Sequence, residues 1–345
     1  MSTQRAIIVQ NLKDARLVAD APIPSMRPDY IKVRTEYVAL NPTDWKSIDT
    51  RAEPGLTPGC DYSGIVEELG PGNTNGFRVG DRVAGAVHGT NASNREDGAF
   101  AEHIMAKAAL ATKVPDNLSM EEAATLGVGV TTVAQGLYQS LQLPWPTEPT
   151  REPFPVLVYG GSTATGTLAI QYAKLSGLTV LTTCSPRNFD LVKRLGADQV
   201  FDYKTPGVGA EIRKAAGDQL AHVFDCISLP ASRDICAEAF GSKGGKYSAL
   251  LPVKDFPRKD VENETTFAYT AFGEEYRKGT RTTAARPQDL EFAAKFWKAT
   301  SELLEQGKIK VHPPELREGG LAGVLNGLND MRQDKVSGVK LVYKV

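Results

Sequence analysis

Phe154–Asp190 reads FPVLVYGGSTATGTLAIQYAKLSGLTVLTTCSPRNFD, and the fold follows from how this stretch is parsed. Val156, Leu157, Val158 and Tyr159 make a short, β-branched apolar run of the kind that forms a buried parallel strand. Gly160 and Gly161 permit a sharp bend, Ser162 and Thr163 are helix-capping types, and Leu168, Ile170, Ala173 and Leu175 carry apolar side chains at helical spacing. Gly177 closes the helix, and Thr179 to Thr183 is a second strand. Strand, glycine turn, helix and parallel strand form half of a mononucleotide-binding unit, with the N–H groups of the helix start directed at a pyrophosphate. In place of G-x-G-x-x-G the chain has Gly160, Gly161 and Gly166, with Ser162, Thr163, Ala164 and Thr165 between them, so hydroxyls and backbone amides are expected to share the phosphate.

The end of the second strand sets the expected cofactor. An NAD site places a carboxylate there to hold the ribose 2′-hydroxyl. Here the strand runs into Cys184, Ser185, Pro186, Arg187 and Asn188, which offer a hydroxyl and a guanidinium suited to a 2′-phosphate. The expectation is NADPH.

Outward from this unit, strands and helices alternate as a doubly wound parallel sheet requires. Helices are expected over 188–195, 206–216 and 230–240, and strands over 199–203, 222–227 and 247–251. Residues 141–155 hold five prolines and read as an exposed connector. Upstream, short strands at 4–9, 31–40, 64–70, 79–85 and 98–104 suit a partly closed barrel, with Asn41–Lys46 as a turn. Ser119-Met-Glu-Glu122 is a capping-box pattern opening a small-residue helix or helix pair. Downstream, 252–264 and 274–287 read as polar loops around the apolar segment Phe267–Phe272. A helix over 287–305, a strand at 308–312, a helix over 319–332 and a strand over 338–345 follow, and are expected to rejoin the first domain. The expected domains are 1–125, 126–275 and 276–345, the first and last forming one.

A net charge of −1 from 40 basic and 41 acidic residues points to neither nucleic acid nor an anionic membrane surface. No membrane-length apolar run and no secretory signal are seen, so the cytoplasm is the expected compartment. Cys60, Cys184, Cys226 and Cys236 are scattered, as are His88, His103, His222 and His312, and no metal site is expected.

With these segments placed, the chain resembles the medium-chain dehydrogenase/reductase superfamily along nearly its whole length. The matching pieces are Asn41–Lys46, Pro58–Gly64, Val79–Val83, Asp97–His103 and Leu195–Tyr203. The resemblance implies an α/β architecture: a GroES-like β-barrel catalytic domain, an inserted Rossmann domain, and a substrate cleft between them. Where the alcohol dehydrogenases of that superfamily carry zinc ligands, this chain has Thr43-Asp44-Trp45-Lys46 and Cys60-Asp61. It therefore resembles the zinc-free branch, which reduces activated double bonds.

A closer likeness is to the trans-acting enoyl reductases of fungal polyketide synthases, of the lovastatin-pathway type. It rests on Tyr159–Thr165, Thr183–Asp190, Phe201–Tyr203 and Val336–Val342. Carried over, it implies NADPH contacts at Thr43, Asp44, Trp45, Lys46, Gly160, Gly161, Ser162 through Thr165, Ser185, Pro186, Arg187, Asn188, Tyr203, Leu250, Leu251, Val336 and Ser337. It implies an acyl pocket from Gly127, Val128, Gly129, Val130, Thr131, Thr132, Val133 and Ala134, and from Tyr269, Thr270, Ala271, Phe272 and Gly273. The chain departs from the family words at Gly166 and Arg187, and its divergent acyl pocket leaves chain length and branching open.

The implied reaction sends a hydride to the β-carbon of an α,β-unsaturated thioester carried by a synthase, which requires a hydrogen-bond donor for the thioester oxygen and a proton for the α-carbon. Lys46 is the first candidate, with a second reading in which it only holds the cofactor's ribose; Thr131 and Tyr62 are further candidate donors. Two alternatives stand beside this function: a quinone or enone reductase acting on small free molecules, and a binding protein that has lost catalysis. A monomer is expected; dimerisation through a sheet edge would use Phe267–Phe272, whose flanks are long and charged.

Overall fold

A computed structural model describes residues 3–345, which form two compact units: the described residues up to Thr131 together with Tyr269–Val345, and Thr132–Ala268.

The Thr132–Ala268 unit is built on a six-stranded, all-parallel sheet in the spatial order Gln199–Asp202, Thr179–Cys184, Pro155–Tyr159, His222–Asp225, Gly245–Ala249, Val261–Thr265. Every residue of Pro155–Tyr159 is buried, as the unbroken apolar run requires of a central parallel strand. The chain leaves this strand in one direction through two successive strands, then returns to its other side at His222–Asp225. That reversal makes the C-terminal ends of Tyr159 and Asp225 a topological switch point, the usual ligand position in such sheets. The helices Ala164–Leu175, Phe189–Arg194, Val208–Ala215 and Pro230–Ala239 connect the strands. One core joins Leu157, Leu181, Val223, Phe240 and Tyr247, all fully buried.

The other unit is the expected β-rich barrel. Tyr30–Ala39 pairs with Lys340–Lys344, Asp61–Leu69 and His103–Lys107, and the sheet continues through Arg82–Ala86 to Ala111–Lys113. Register shifts near Lys32 and Thr35 bend the long strand. The core includes Ile7, Ile31, Val33, Tyr62, Phe100 and Leu341. The return of residues 314–344 to this sheet makes the unit discontinuous in sequence.

Several local expectations are corrected. Asn41–Lys46 is no mere turn but the start of the helix Pro42–Thr50: the Asn41 N–H donates to Asp44 Oδ2 at 2.7 Å and Pro42 takes the first helical position. Val261–Thr265 (VENET), inside the stretch read as loop, is an edge strand whose only buried residue is Val261, so no alternating apolar signal marked it. Phe267–Phe272 is not a strand edge: Ala268–Phe272 is a 3-10 turn, and the edges of the parallel sheet are Val261–Thr265 and Gln199–Asp202. The strand placed at 308–312 lies instead at Pro314–Arg317, paired in parallel with Lys340–Lys344, while Ile309 and His312 are buried without strand pairing. The loop at 274–287 contains the hairpin Tyr276–Lys278/Arg281–Thr283, and Asp14–Pro22 is a strand on Thr3–Asn11 that the sequence reading passed over.

Candidate active site

In the Thr132–Ala268 unit the expected cofactor residues converge at the C-terminal ends of the parallel strands. Gly160–Thr165 follows Tyr159, Ser185–Asn188 follows Cys184, Tyr203 follows Asp202, and Leu250 and Leu251 follow Ala249. Gly160 has φ +81°, a conformation side chains resist. A Cβ on Gly161 would lie 2.0 Å from Thr182 Oγ1, and one on Gly166 would lie 2.3 Å from the Gly160 carbonyl oxygen. The turn is thus packed so closely that only glycine fits, and the helix Ala164–Leu175 starts directly behind it. Thr163 is its N-cap, its hydroxyl accepting from the Gly166 N–H at 2.9 Å. Apart from the Gly166 N–H, the first N–H groups of the helix have no acceptor within it, a geometry that suits an anion. One strand over, Ser185 and Tyr203 bring their hydroxyls to 3.5 Å, and Arg187 lies exposed in the 3-10 turn Pro186–Asn188. These groups fit a dinucleotide: close-approach glycines and a capped helix end suited to a pyrophosphate, and two hydroxyls with a guanidinium at the ends of the neighbouring strands.

The barrel unit holds a second constellation. Thr43, Asp44, Trp45 and Lys46 form the first turn of the helix Pro42–Thr50. The Thr43 and Tyr269 hydroxyls stand 2.6 Å apart, and the same phenol lies 3.7 Å from Cys60 Sγ. His88 stacks on Tyr269 with ring centroids 4.3 Å apart. The Lys278 ammonium sits 3.3 Å from the centroid of the Tyr269 ring and has no hydrogen-bond partner. Burial dominates the electrostatics. It pushes Asp44 up to about 7, helped by the charge of Asp61 and opposed by the Asn41 N–H, and it brings Lys278 down to about 7. It also raises the Cys60 thiol and the Tyr269 phenol, so both keep their protons, and it holds His88 neutral well below its ordinary value. Half-buried Lys46 is lowered by desolvation and by the charge of Arg51, and its ammonium lies 5.6 Å from the Trp45 ring centroid.

Beneath this cluster is a buried polar network. Asp61 accepts from the Val128 N–H at 2.7 Å and from the Lys340 ammonium, which also donates to Asn41 Oδ1 at 2.9 Å and to the Thr125 carbonyl at 3.2 Å. It ties the start of the helix Gly127–Val133 to the segment that opens Pro42–Thr50. A Cβ on Gly127 would fall 2.4 Å from Asp61 Oδ1, so the helix entry depends on glycine.

The other residues singled out from sequence lie as follows. Thr131, 1% exposed, donates to the Gly127 carbonyl at 3.3 Å and accepts from Trp297 Nε1 at 3.1 Å, so its proton is already committed. Tyr62 is fully buried in the barrel core, where its hydroxyl has no partner and burial raises its pKa. Gly127–Val133 is a helix and Ala134 opens a π-helical turn, Ala134–Ser140. Thr270, Ala271 and Phe272 are buried beside Tyr269, Gly273 turns the chain with φ +75°, and Val336, which packs on the barrel core, precedes exposed Ser337. Lys278 was not read from the sequence. Strand alternation was its signal: it shares a face with buried Tyr276, while Arg277 between them is paired with Glu53. Among the described residues no three His, Cys, Asp or Glu side chains converge as a metal site would require. No described helix is long and apolar enough to cross a membrane.

Two family profiles match the chain, one within each unit. The profile for the alcohol dehydrogenase GroES-like domain matches residues 27–116, and that for zinc-binding dehydrogenases matches residues 164–248. The chain is 50% identical to a trans-enoyl reductase of Alternaria alternata, with 100% of both chains covered. It is 48% identical to a trans-enoyl reductase of Aspergillus sclerotiorum, covering 99% of this chain and 100% of the relative. Among solved structures, a putative zinc-dependent alcohol dehydrogenase from Rhizobium etli CFN 42 superposes with TM-score 0.80 at 23% identity, covering 100% of this chain and 99% of the other. The CurK enoyl reductase superposes with TM-score 0.77 at 17% identity, covering 99% of each chain.

Proposed function

The chain belongs to the trans-enoyl reductases of the medium-chain dehydrogenase/reductase superfamily, and from this we propose that it reduces the α,β-double bond of a polyketide acyl thioester with NADPH. The carrying observation is 50% identity to a trans-enoyl reductase over the full length of both chains. The substrate reaches it on the carrier domain of a synthase, in secondary-metabolite biosynthesis in the cytoplasm, and the enzyme works as a monomer.

The chain's residues divide the work. Gly160, Gly161 and the capped helix end hold the pyrophosphate, with Ser162 and Thr165 adding hydroxyls. Ser185, Arg187 and Tyr203 hold the 2′-phosphate, and the absence of a carboxylate after Cys184 supports NADPH over NADH. Leu250, Leu251, Val336, Ser337 and the Thr43–Lys46 turn complete the cofactor contacts. NADPH, when bound, supplies the hydride. The segments 127–134 and 269–273 line the acyl chain with small and apolar side chains, which orient the double bond. As the β-carbon is reduced, the electron pair of the double bond moves to the thioester oxygen. The Lys46 ammonium then gives its proton to the α-carbon and is recharged from water; its lowered pKa favours that transfer.

NADPH oxidation against an enoyl thioester and against a small quinone tests this reading. Turnover of the thioester is expected; turnover of the quinone alone would assign the chain to the quinone reductases instead. Loss of both activities with retained NADPH binding would make it a binding protein.

A further inference from the structure

The barrel unit places an ammonium where burial gives it nothing to bond. Lys278 is 8% exposed, its Nζ has no hydrogen-bond partner, and it lies 3.3 Å from the centroid of the Tyr269 ring. An unpartnered buried charge is costly, and an apolar side chain of similar length would fill the same space without that cost. What the ammonium does make is a cation–π contact with one particular phenol. That phenol has three further neighbours: its hydroxyl stands 2.6 Å from Thr43 Oγ1 and 3.7 Å from Cys60 Sγ, and its ring stacks on His88 at 4.3 Å. Tyr269 as a residue is nonetheless only partly buried.

We propose that Tyr269 is a further catalytic residue, its hydroxyl donating to the thioester oxygen as negative charge builds there, and that Lys278 is the positioning charge that strengthens this donor. The inference rests on the enoyl reductase reading above. Burial, the largest influence, together with the charge of Asp44 keeps the phenol protonated, which a donor must be. A cation against the ring draws electron density from the phenol and polarises its O–H bond. The role requires Thr43 to donate to the phenol oxygen, which leaves the phenol's own proton for the thioester and fixes its direction. No proton leaves Tyr269: hydride and electron pair move as described above, and the α-carbon takes its proton from Lys46. The charged and titratable groups around Lys278 are Asp44 and Arg51 from the helix Pro42–Thr50 and its end, Cys60, His88, Tyr269, and Tyr276 on its own strand. Of these Cys60 and Asp44 favour the ammonium and Arg51 opposes it, while burial, the largest influence, brings it to about 7.

The test uses NADPH and a crotonyl-pantetheine thioester with the full chain. Tyr269→Phe, which removes one oxygen, is expected to lower kcat by about 100-fold, the loss expected of one oxyanion donor, with little change in NADPH affinity. Wild-type kcat is expected to fall as pH rises through about 7, where Lys278 loses its proton. Lys278→Met is expected to lower kcat about tenfold and to erase that limb, and Lys278→Arg to restore activity with no limb near neutrality. A second readout needs no ligand. In the unfolded chain the lysine keeps its proton to about 10.5, so the wild type's Tm relative to that of Lys278→Met is expected to rise from pH 7 upward as the folded lysine neutralises. Tyr269→Phe within twofold of wild type, or an unchanged pH limb in Lys278→Met, overturns the assignment. A wild-type enzyme that ignores the thioester overturns the enoyl reductase reading itself, and this role with it.

Discussion

The two compact units hold their candidate functional groups in opposite ways. In the Thr132–Ala268 unit each group lies within six residues of the C-terminal end of a parallel strand: Gly160–Thr165, Ser185–Asn188, Tyr203, Leu250 and Leu251. In the barrel unit Thr43, Cys60, His88, Tyr269 and Lys278 come from five separate segments, and Tyr269 meets Thr43 across 226 positions of sequence. A parallel sheet produces a site by local geometry, because every strand ends on the same edge and delivers its loop there. A barrel produces one only by long-range packing, so its site depends on the network beneath it.

Perturbations that strike the two kinds of site differently can break this contrast. The largest effect is expected from Lys340→Met, which leaves Asp61, 0% exposed, without its cation. Removing one partner of such a pair costs about 3–5 kcal/mol, to be read as a lowered midpoint in urea unfolding. The glycine turn and its capped helix would persist wherever the parallel-sheet unit remains folded. Gly161→Val comes next. Its Cβ would overlap Thr182 Oγ1 at 2.0 Å and force the turn to shift, and NADPH affinity measured by fluorescence is expected to fall about 100-fold, roughly 2.7 kcal/mol, while the barrel cluster is untouched. Arg187→Ala is the smallest: about tenfold weaker NADPH binding with NADH binding unchanged. Equal losses for both cofactors would mean that the guanidinium does not meet the 2′-phosphate.

The same contrast governs what was legible in the sequence. The doubly wound sheet, its glycine turn and the capped helix could be read from Phe154–Asp190 because strand, turn and helix signals are all local there. Two short strands were harder: Val261–Thr265, at the edge of the parallel sheet, and Tyr276–Lys278, in the barrel unit, are polar and next to turns, and at an edge only one face of a strand needs to be apolar. Asn41–Lys46 carried its helix signal in the Asn41–Asp44 cap rather than in periodicity. Lys278 was hidden for the same reason as its strand: a lysine among Arg277, Arg281 and Glu275 reads as solvated, and only the tertiary fold turns it inward.

Transfer of deuterium from 4-deuterated NADPH, followed by mass spectrometry of the product, tests the central claim most directly. With a crotonyl thioester the account predicts a saturated product carrying one deuterium at the β-carbon and a solvent proton at the α-carbon. An unreduced thioester, alongside deuterium transfer to a free quinone under the same conditions, would contradict it.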